Sequence, residues 1–238
     1  AVGTQLMRSG LHLLVEKPIA ATTPEAEALV ALAREKDLIL QVGHVERFNP
    51  VMQFLEGHLH HPRFIEAIRL APYPSPRDGA MPRGTEVSVV LDLMIHDLDI
   101  ILHLVRAPVK EIHAVGVPVL SSSEDIANVR LLFENGCVAN VTASRISRDK
   151  MRKIRVFQED TYLSLDYMNQ AGQLLRKTAG GIAAAKVPIE KGEPLAAELA
   201  SFVQCVLTRR EPVVTGKHGS EALKLAVEIC RRIRDNPS

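Results

Sequence analysis

In the stretch 91–105, LDLMIHDLDIILHLV, Asp92, His96 and Asp99 stand at i, i+4 and i+7. On a helix that spacing places all of them on one face. Leu93, Ile100, Leu104 and their neighbours are apolar almost all round, which predicts a buried helix. Charged groups on a buried helix must be paired or functional, because burying them in isolation is costly. An aspartate one turn before a histidine can fix its tautomer and raise its basicity, as a general base requires. A solvated polar stripe along the helix would fit the same spacing.

Other stretches bring polar groups to the ends of predicted strands. In LLVEKPIA (13–20) an apolar run stops at Glu16, Lys17 and Pro18. Proline restricts the residue before it, so Lys17 sits in a stiff turn. Its ammonium could pair with a hydroxyl or a carboxylate and tune proton transfer, although a loop lysine in water fits as well. In GHVERFNP (43–50), Gly43 would admit a ligand close to the backbone, followed by His44. Arg47 could anchor an anionic or polyhydroxyl substrate, and Asn49 before Pro50 has the form of a helix-start cap; an ordinary turn with a surface arginine is the alternative. The run SRISRDKMRKIRV (144–156) is dense in basic residues, among them Arg145 and Arg152. On strands flanking a turn, several of these would meet on one face and attract phosphate groups; a solvated hairpin would use the same residues.

The elements that must position these groups follow from pattern. Residues 4–10 read as a helix end closed by Gly10, 11–15 as a strand, 22–38 as a helix with a threonine cap and Pro24 in its first turn, and 39–44 as a second strand. Strand, helix and strand with short links form a βαβ unit with parallel strands. Glu16–Lys17 and His44–Asn49 then lie at the carboxyl ends of those strands, the edge at which open α/β sheets bind ligands. Beyond Pro50 the texture changes. Residues 63–72 alternate like a strand, 74–84 form a Pro/Gly-rich loop, and 86–106 read as a helix. Strand-like runs follow at 109–118, 126–134, 137–146, 152–158 and 161–166, with an Asn-Gly hairpin turn in FENGCV. Helices at about 195–208 and 219–234 close the chain. The expected fold is α/β plus α+β: a parallel α/β piece joined to a domain with a mainly antiparallel open sheet.

Composition narrows the function classes. The 238 residues are 46% hydrophobic and 24% charged, enough to bury a core. With 29 basic against 28 acidic side chains the net charge is +1, which argues against a dedicated nucleic-acid binder. Cys137, Cys205 and Cys230 are far apart and form no C-x-x-C pair, as expected of reduced thiols in a cytoplasmic protein. No apolar run approaches the ~18 residues of a membrane span, and no metal site is expected.

Taken in order, EKP (16–18), GHVERFNP (43–50) and DLMIHDLD (92–99) resemble the glucose-fructose oxidoreductase / inositol dehydrogenase family (Gfo/Idh/MocA) of nicotinamide-dependent sugar and polyol dehydrogenases. The resemblance implies a catalytic group of Lys17, Asp92 and His96. His96 would be the base that removes a hydroxyl proton, Asp92 would orient and charge-balance it, and Lys17 would hold the hydroxyl. NAD or NADP would meet Glu16, Lys17, Pro18, Gly43 and His44. Substrate would meet Arg47, Asn49, Asp99, Arg83, Arg145 and Arg152. A homo-oligomer, dimer or tetramer, is implied as well. Family members open on a glycine-rich turn that seats the cofactor pyrophosphate, and no G-x-G-x-x-G stands in this sequence. The resemblance thus makes residues 1–48 the C-terminal remnant of a Rossmann dinucleotide-binding domain, with roughly 80 residues expected ahead of Ala1, and 49–238 a substrate and oligomerisation domain whose last helix packs back on it. The lead-in to 92–99 and the basic run resemble members acting on nucleotide-linked amino sugars of lipid A synthesis. The alternatives are an inositol or free-sugar dehydrogenase, or a non-catalytic sugar-binding protein.

Overall fold

The computed structural model describes residues 2–75, 82 and 84–235. The chain starts with helix α1 (Val2–Arg8), strand β1 (Leu13–Glu16), helix α2 (Thr23–Glu35) and strand β2 (Leu40–Gly43). β1 and β2 pair in parallel, with Leu13 opposite Leu40 and Glu16 opposite Gly43, as the βαβ pattern predicts. α2 starts where the sequence placed it. Thr22 accepts from the Glu25 amide while the Glu25 carboxylate takes the Thr22 amide, a reciprocal cap that satisfies two otherwise orphaned donors.

A 3-10 turn (Val45–Phe48) leads into helix α3 (Pro50–His58) and strand β3 (Phe64–Leu70). α3 went unread in the sequence even though its cap, Asn49, stands out; the Asn49 side chain accepts from the Val51 amide. Helix α4 (Ile95–Val105) is preceded by a π-helical turn over Val90–Met94, so the predicted helix is two geometries end to end. Strands β4 (Val109–Val117), β5 (Ile126–Phe133), β6 (Val138–Ser144), β7 (Met151–Phe157), β8 (Thr161–Asp166), β9 (Ala171–Thr178) and β10 (Gly181–Lys186) follow. With β3 they form an eight-stranded sheet in the order β10-β9-β8-β7-β3-β6-β5-β4. Its pairs are antiparallel apart from β3–β6, which runs parallel, so the sheet has the mainly antiparallel character expected.

Helices α5 (Pro194–Thr208) and α6 (Gly216–Asp235) complete the chain. The larger core lies between one face of the sheet and α3, α4 and α6, around Ile65, Met94, Leu98, Val129, Val141 and Ile229. A smaller core gathers Met7, Ala26, Leu29, Leu40 and Val42 from the parallel unit with Val214 and Leu223. α6 therefore serves both cores: Ala226 and Ile229 enter the first, Leu223 the second. The segment ahead of α6 extends the small sheet, with Val42 N–H donating to the Val214 carbonyl at 3.0 Å. No helix of the described residues is long and apolar enough to cross a membrane.

Candidate active site

The DLMIHDLD motif is pinned from three directions, and each of its aspartates meets a different basic residue. At the end of β1, Lys17 Nζ lies 3.4 Å from Asp92 Oδ1 and also donates to the Asp92 carbonyl. From β3, Arg69 grips Asp97 with a fork, Nε to Oδ2 at 2.7 Å and Nη2 to Oδ1 at 3.1 Å. From the turn after β2, Arg47 Nη1 approaches Asp99 Oδ2 at 3.4 Å. Lys17, Asp92, Arg47, Asp99 and His96 thus come together from β1, the 3-10 turn and the π–α junction.

His96, the one histidine in the motif, is the group left unpaired. Its Nδ1 is buried with no hydrogen-bond partner among the described residues, and so are both ring nitrogens of His44. The two rings meet edge to face with centroids 5.9 Å apart. Burial, then the positive charges of Arg69 and Lys17, hold His96 well below the ordinary histidine pKa. Burial likewise lowers His44, against the pull of Asp99. Both imidazoles are neutral at neutral pH, the state in which a ring nitrogen can accept a proton. Burial also lowers Lys17, although Asp92 opposes it.

The orientation of Asp92 departs from expectation. It makes no hydrogen bond to His96; it holds Lys17 instead. The π turn places its carboxylate over Gly84, where a Cβ would come within 2.6 Å of Asp92 Oδ2 and where φ is +86°, a conformation suited to glycine. Turns of this kind recur at functional sites, and helical periodicity alone does not reveal one.

Two further expectations need correction. Arg145 is not available to a substrate. Its guanidinium is buried and donates to Asp125 Oδ1 at 2.7 Å, to the carbonyls of Gly84, Val87 and Glu124, and to the Ser123 hydroxyl. Asn49 is committed too: Oδ1 caps α3, and Nδ2 donates to Glu46 and to the Tyr167 carbonyl. The basic run does not gather on one face, because strand alternation divides it. Arg152 shares the inner face with Ile154 and Val156, whereas Arg155 points outward and pairs with Glu66 at 2.7 Å. Arg83 lies outside the described residues.

Three residues of the site escaped the sequence reading: Glu46, Arg69 and Asp97. Glu46 is buried and accepts from Arg69 (3.1 Å), Arg152 (3.3 Å) and Asn49 (3.2 Å). Burial would lower the Arg69 pKa, but Asp97 and then Glu46 overturn that and keep it raised. A signal was present in FIEAIRL: alternation places Arg69 on the same face as Ile65 and Ala67, and an arginine in an apolar row needs a buried carboxylate.

The nicotinamide end of a dinucleotide suits this geometry. His44, at the carboxyl end of β2, and His96, packed against it from α4, keep buried ring nitrogens with no partner among the described residues, where a carboxamide or hydroxyl could meet them. Glu16, Lys17 and Pro18 on one strand exit and Gly43 and His44 on the other are the residues that would border it. Gly43 is partly covered by Glu16, whose Oε2 lies 3.0 Å from the position a Cβ would take. Nothing in this sequence has the form of a pyrophosphate turn, so the fit concerns the nicotinamide end.

Comparison with known proteins bears on the fold and the family. Residues 1–44 match the NAD-binding Rossmann fold of an oxidoreductase family, and residues 54–164 match the Gfo/Idh/MocA C-terminal domain. UDP-N-acetylglucosamine 3-dehydrogenase of Acidithiobacillus ferrooxidans is 36% identical over 236 residues, covering 96% of this chain and 73% of that protein. A solved structure of that enzyme superimposes with a TM-score of 0.91 at 34% identity, over 98% of this chain and 75% of the other. Myo-inositol 2-dehydrogenase of Thermotoga maritima is 24% identical over 243 residues, covering 95% of this chain and 72% of that protein. With its motifs assembled at the strand ends and a relative matched along most of its length, the chain belongs to the Gfo/Idh/MocA family of NAD-binding oxidoreductases.

Proposed function

We propose that the protein is an NAD(P)-dependent dehydrogenase that oxidises a secondary hydroxyl of a UDP-linked amino sugar, with UDP-N-acetylglucosamine as substrate, in the cytoplasm. One observation carries the reading: His96 Nδ1 is buried with no partner among the described residues, while Asp92, Asp97 and Asp99 around it are all held by basic groups. A neutral imidazole there can take the hydroxyl proton. Lys17, tethered by Asp92, presents its ammonium beside that oxygen and stabilises the alkoxide character that develops. Bound nicotinamide supplies the hydride acceptor. His44 packs against His96 and borders the ring, and Arg152 reaches the substrate from β7.

The identity to a UDP-N-acetylglucosamine 3-dehydrogenase supports the nucleotide sugar. An inositol dehydrogenase is the second reading, favoured by the similarity to the Thermotoga maritima enzyme. Assembly as a homo-oligomer is part of the proposal. The sheet face away from the helices carries a row of aromatic rings, Phe64 tilted against Phe157 and Phe157 stacked on Tyr162, suited to a second copy. NAD(P)H formation with UDP-N-acetylglucosamine against myo-inositol tests the substrate. Reduction with inositol alone would sink the nucleotide-sugar reading.

A further inference from the structure

Arg69 and Arg152 are direct cross-strand partners on β3 and β7. Like charges placed opposite one another repel, and here the conflict is resolved by a single oxygen. Glu46 Oε1 accepts from Arg69 Nη1 at 3.1 Å and from Arg152 Nη1 at 3.3 Å. Its other oxygen takes Asn49 Nδ2 at 3.2 Å. The two arginines then diverge. Arg69 is 4% exposed, and its remaining donors grip Asp97; Arg152 is 52% exposed, with Glu46 its one side-chain partner among the described residues. Through Glu46, Arg152 adjoins Arg69, whose fork holds Asp97, the residue next to His96.

We propose that Glu46 is a positioning residue that holds one edge of the Arg152 guanidinium, so that the free edge receives an anionic oxygen, phosphate or carboxylate, of the substrate beside His96. A guanidinium offers only donors, in a planar fork that matches such groups. Left to itself, Arg152 would swing away from Arg69 into solvent. Glu46 removes that freedom, and with it the ordering cost that a mobile arginine brings to binding. This inference rests on the site proposed above and makes it selective for an anionic sugar.

The test is calorimetric binding to the full chain, with UDP-N-acetylglucosamine, glucuronate and neutral N-acetylglucosamine as probes and thermal melting as the control for folding. Arg152→Met should weaken the anionic probes roughly 10- to 100-fold, as loss of charge-assisted hydrogen bonds would. Glu46→Gln, which keeps shape and removes charge, should weaken them less than Arg152→Met, and neutral N-acetylglucosamine should be unmoved by either. Equal weakening of neutral and anionic probes would mean a merely structural role and would overturn the proposal. So would unchanged anionic binding in a folded Arg152→Met protein, and this would leave the nucleotide-sugar reading standing. Arg152-dependent binding of glucuronate without any binding of the UDP-sugar would reverse that outcome: the nucleotide reading falls and this one holds. Failure of every anionic probe to bind would sink both.

Discussion

Two buried ionic centres lie close together in this molecule and differ in one respect. Around Arg145, the guanidinium meets Asp125, Ser123 and three carbonyls, and Asp125 also takes the amides of Val119, Leu120 and Ser121. Around His96, the carboxylates are paired but His44, His96 and Arg47 Nε keep polar atoms with no partner among the described residues. Buried polar groups are ordinarily satisfied, so the first centre reads as scaffold and the second as a place prepared for something else. The same residue type, arginine, serves both. Its free donors, more than its presence, mark function.

That contrast can be broken at several points. The largest effect should come from His96→Ala, which in the active enzyme should lower turnover by roughly 10²–10⁴ while NAD binding persists. Steady-state rates and cofactor titration check this, and unchanged turnover would remove His96 from the mechanism. Arg145→Met should do the reverse. It leaves Asp125 buried without its guanidinium and should cost about 3–5 kcal/mol of stability in denaturant titration. Ligand affinity in the surviving folded fraction should be unaltered; a loss of binding at full stability would move Arg145 back into the site.

Acid should act on the unsatisfied centre first. The folded pKa values of His44 and His96 are depressed by burial, so the unfolded chain binds protons more readily just below the ordinary value of about 6.5. Stability should therefore fall as pH drops through that value, and replacing both histidines with glutamine should flatten the slope. A melting series from pH 8 to pH 5 reads it directly, and an unchanged slope would place the acid sensitivity elsewhere.

The smallest effect tests whether an orphaned atom alone signifies a site. Glu198 and Gln41 each keep a buried side-chain oxygen without a partner among the described residues, although Gln41 Nε2 donates to the Glu198 carbonyl. Burial, with Glu16 nearby, pushes the Glu198 carboxyl up to about 7. A raised carboxyl favours the folded state when protonated, and that contribution is lost as pH rises from about 4.5 towards 7. Glu198→Gln should raise the melting temperature slightly at pH 8, leave it alone at pH 5, and spare substrate binding. If binding suffers, orphaned oxygens outside the histidine pair belong to the site as well.

The parallel unit was legible because each of its signals is local: a threonine cap, a proline in the first turn, and two short apolar runs. The motif residues were legible as a set, and the structure does bring Lys17, Asp92 and His96 into one place. Their pairing was not legible. A single π turn redirects Asp92 to Lys17, and the residue that makes room for it, Gly84, lies in a loop whose contacts no periodicity encodes. The basic run misled for the opposite reason. Its charges are adjacent in sequence, yet alternation in β7 sends Arg152 and Arg155 to opposite faces. β9 and β10 escaped because AGQLLRKT lacks clean alternation and all of GIAAAK is exposed, leaving no buried face to set a pattern.

The closing helix carries a consequence for how the molecule comes to exist. Leu223 of α6 and the neighbouring Val214 complete the small core beneath β1 and β2. During synthesis β1 emerges long before α6, and the side chains that complete its core arrive only with that later helix. A ribosome paused before α6 would display the parallel sheet without its lid of apolar contacts, exposed to chaperones and proteases. Closure of the small core therefore waits on α6, which couples the strand end beside Lys17 to a segment far along the chain.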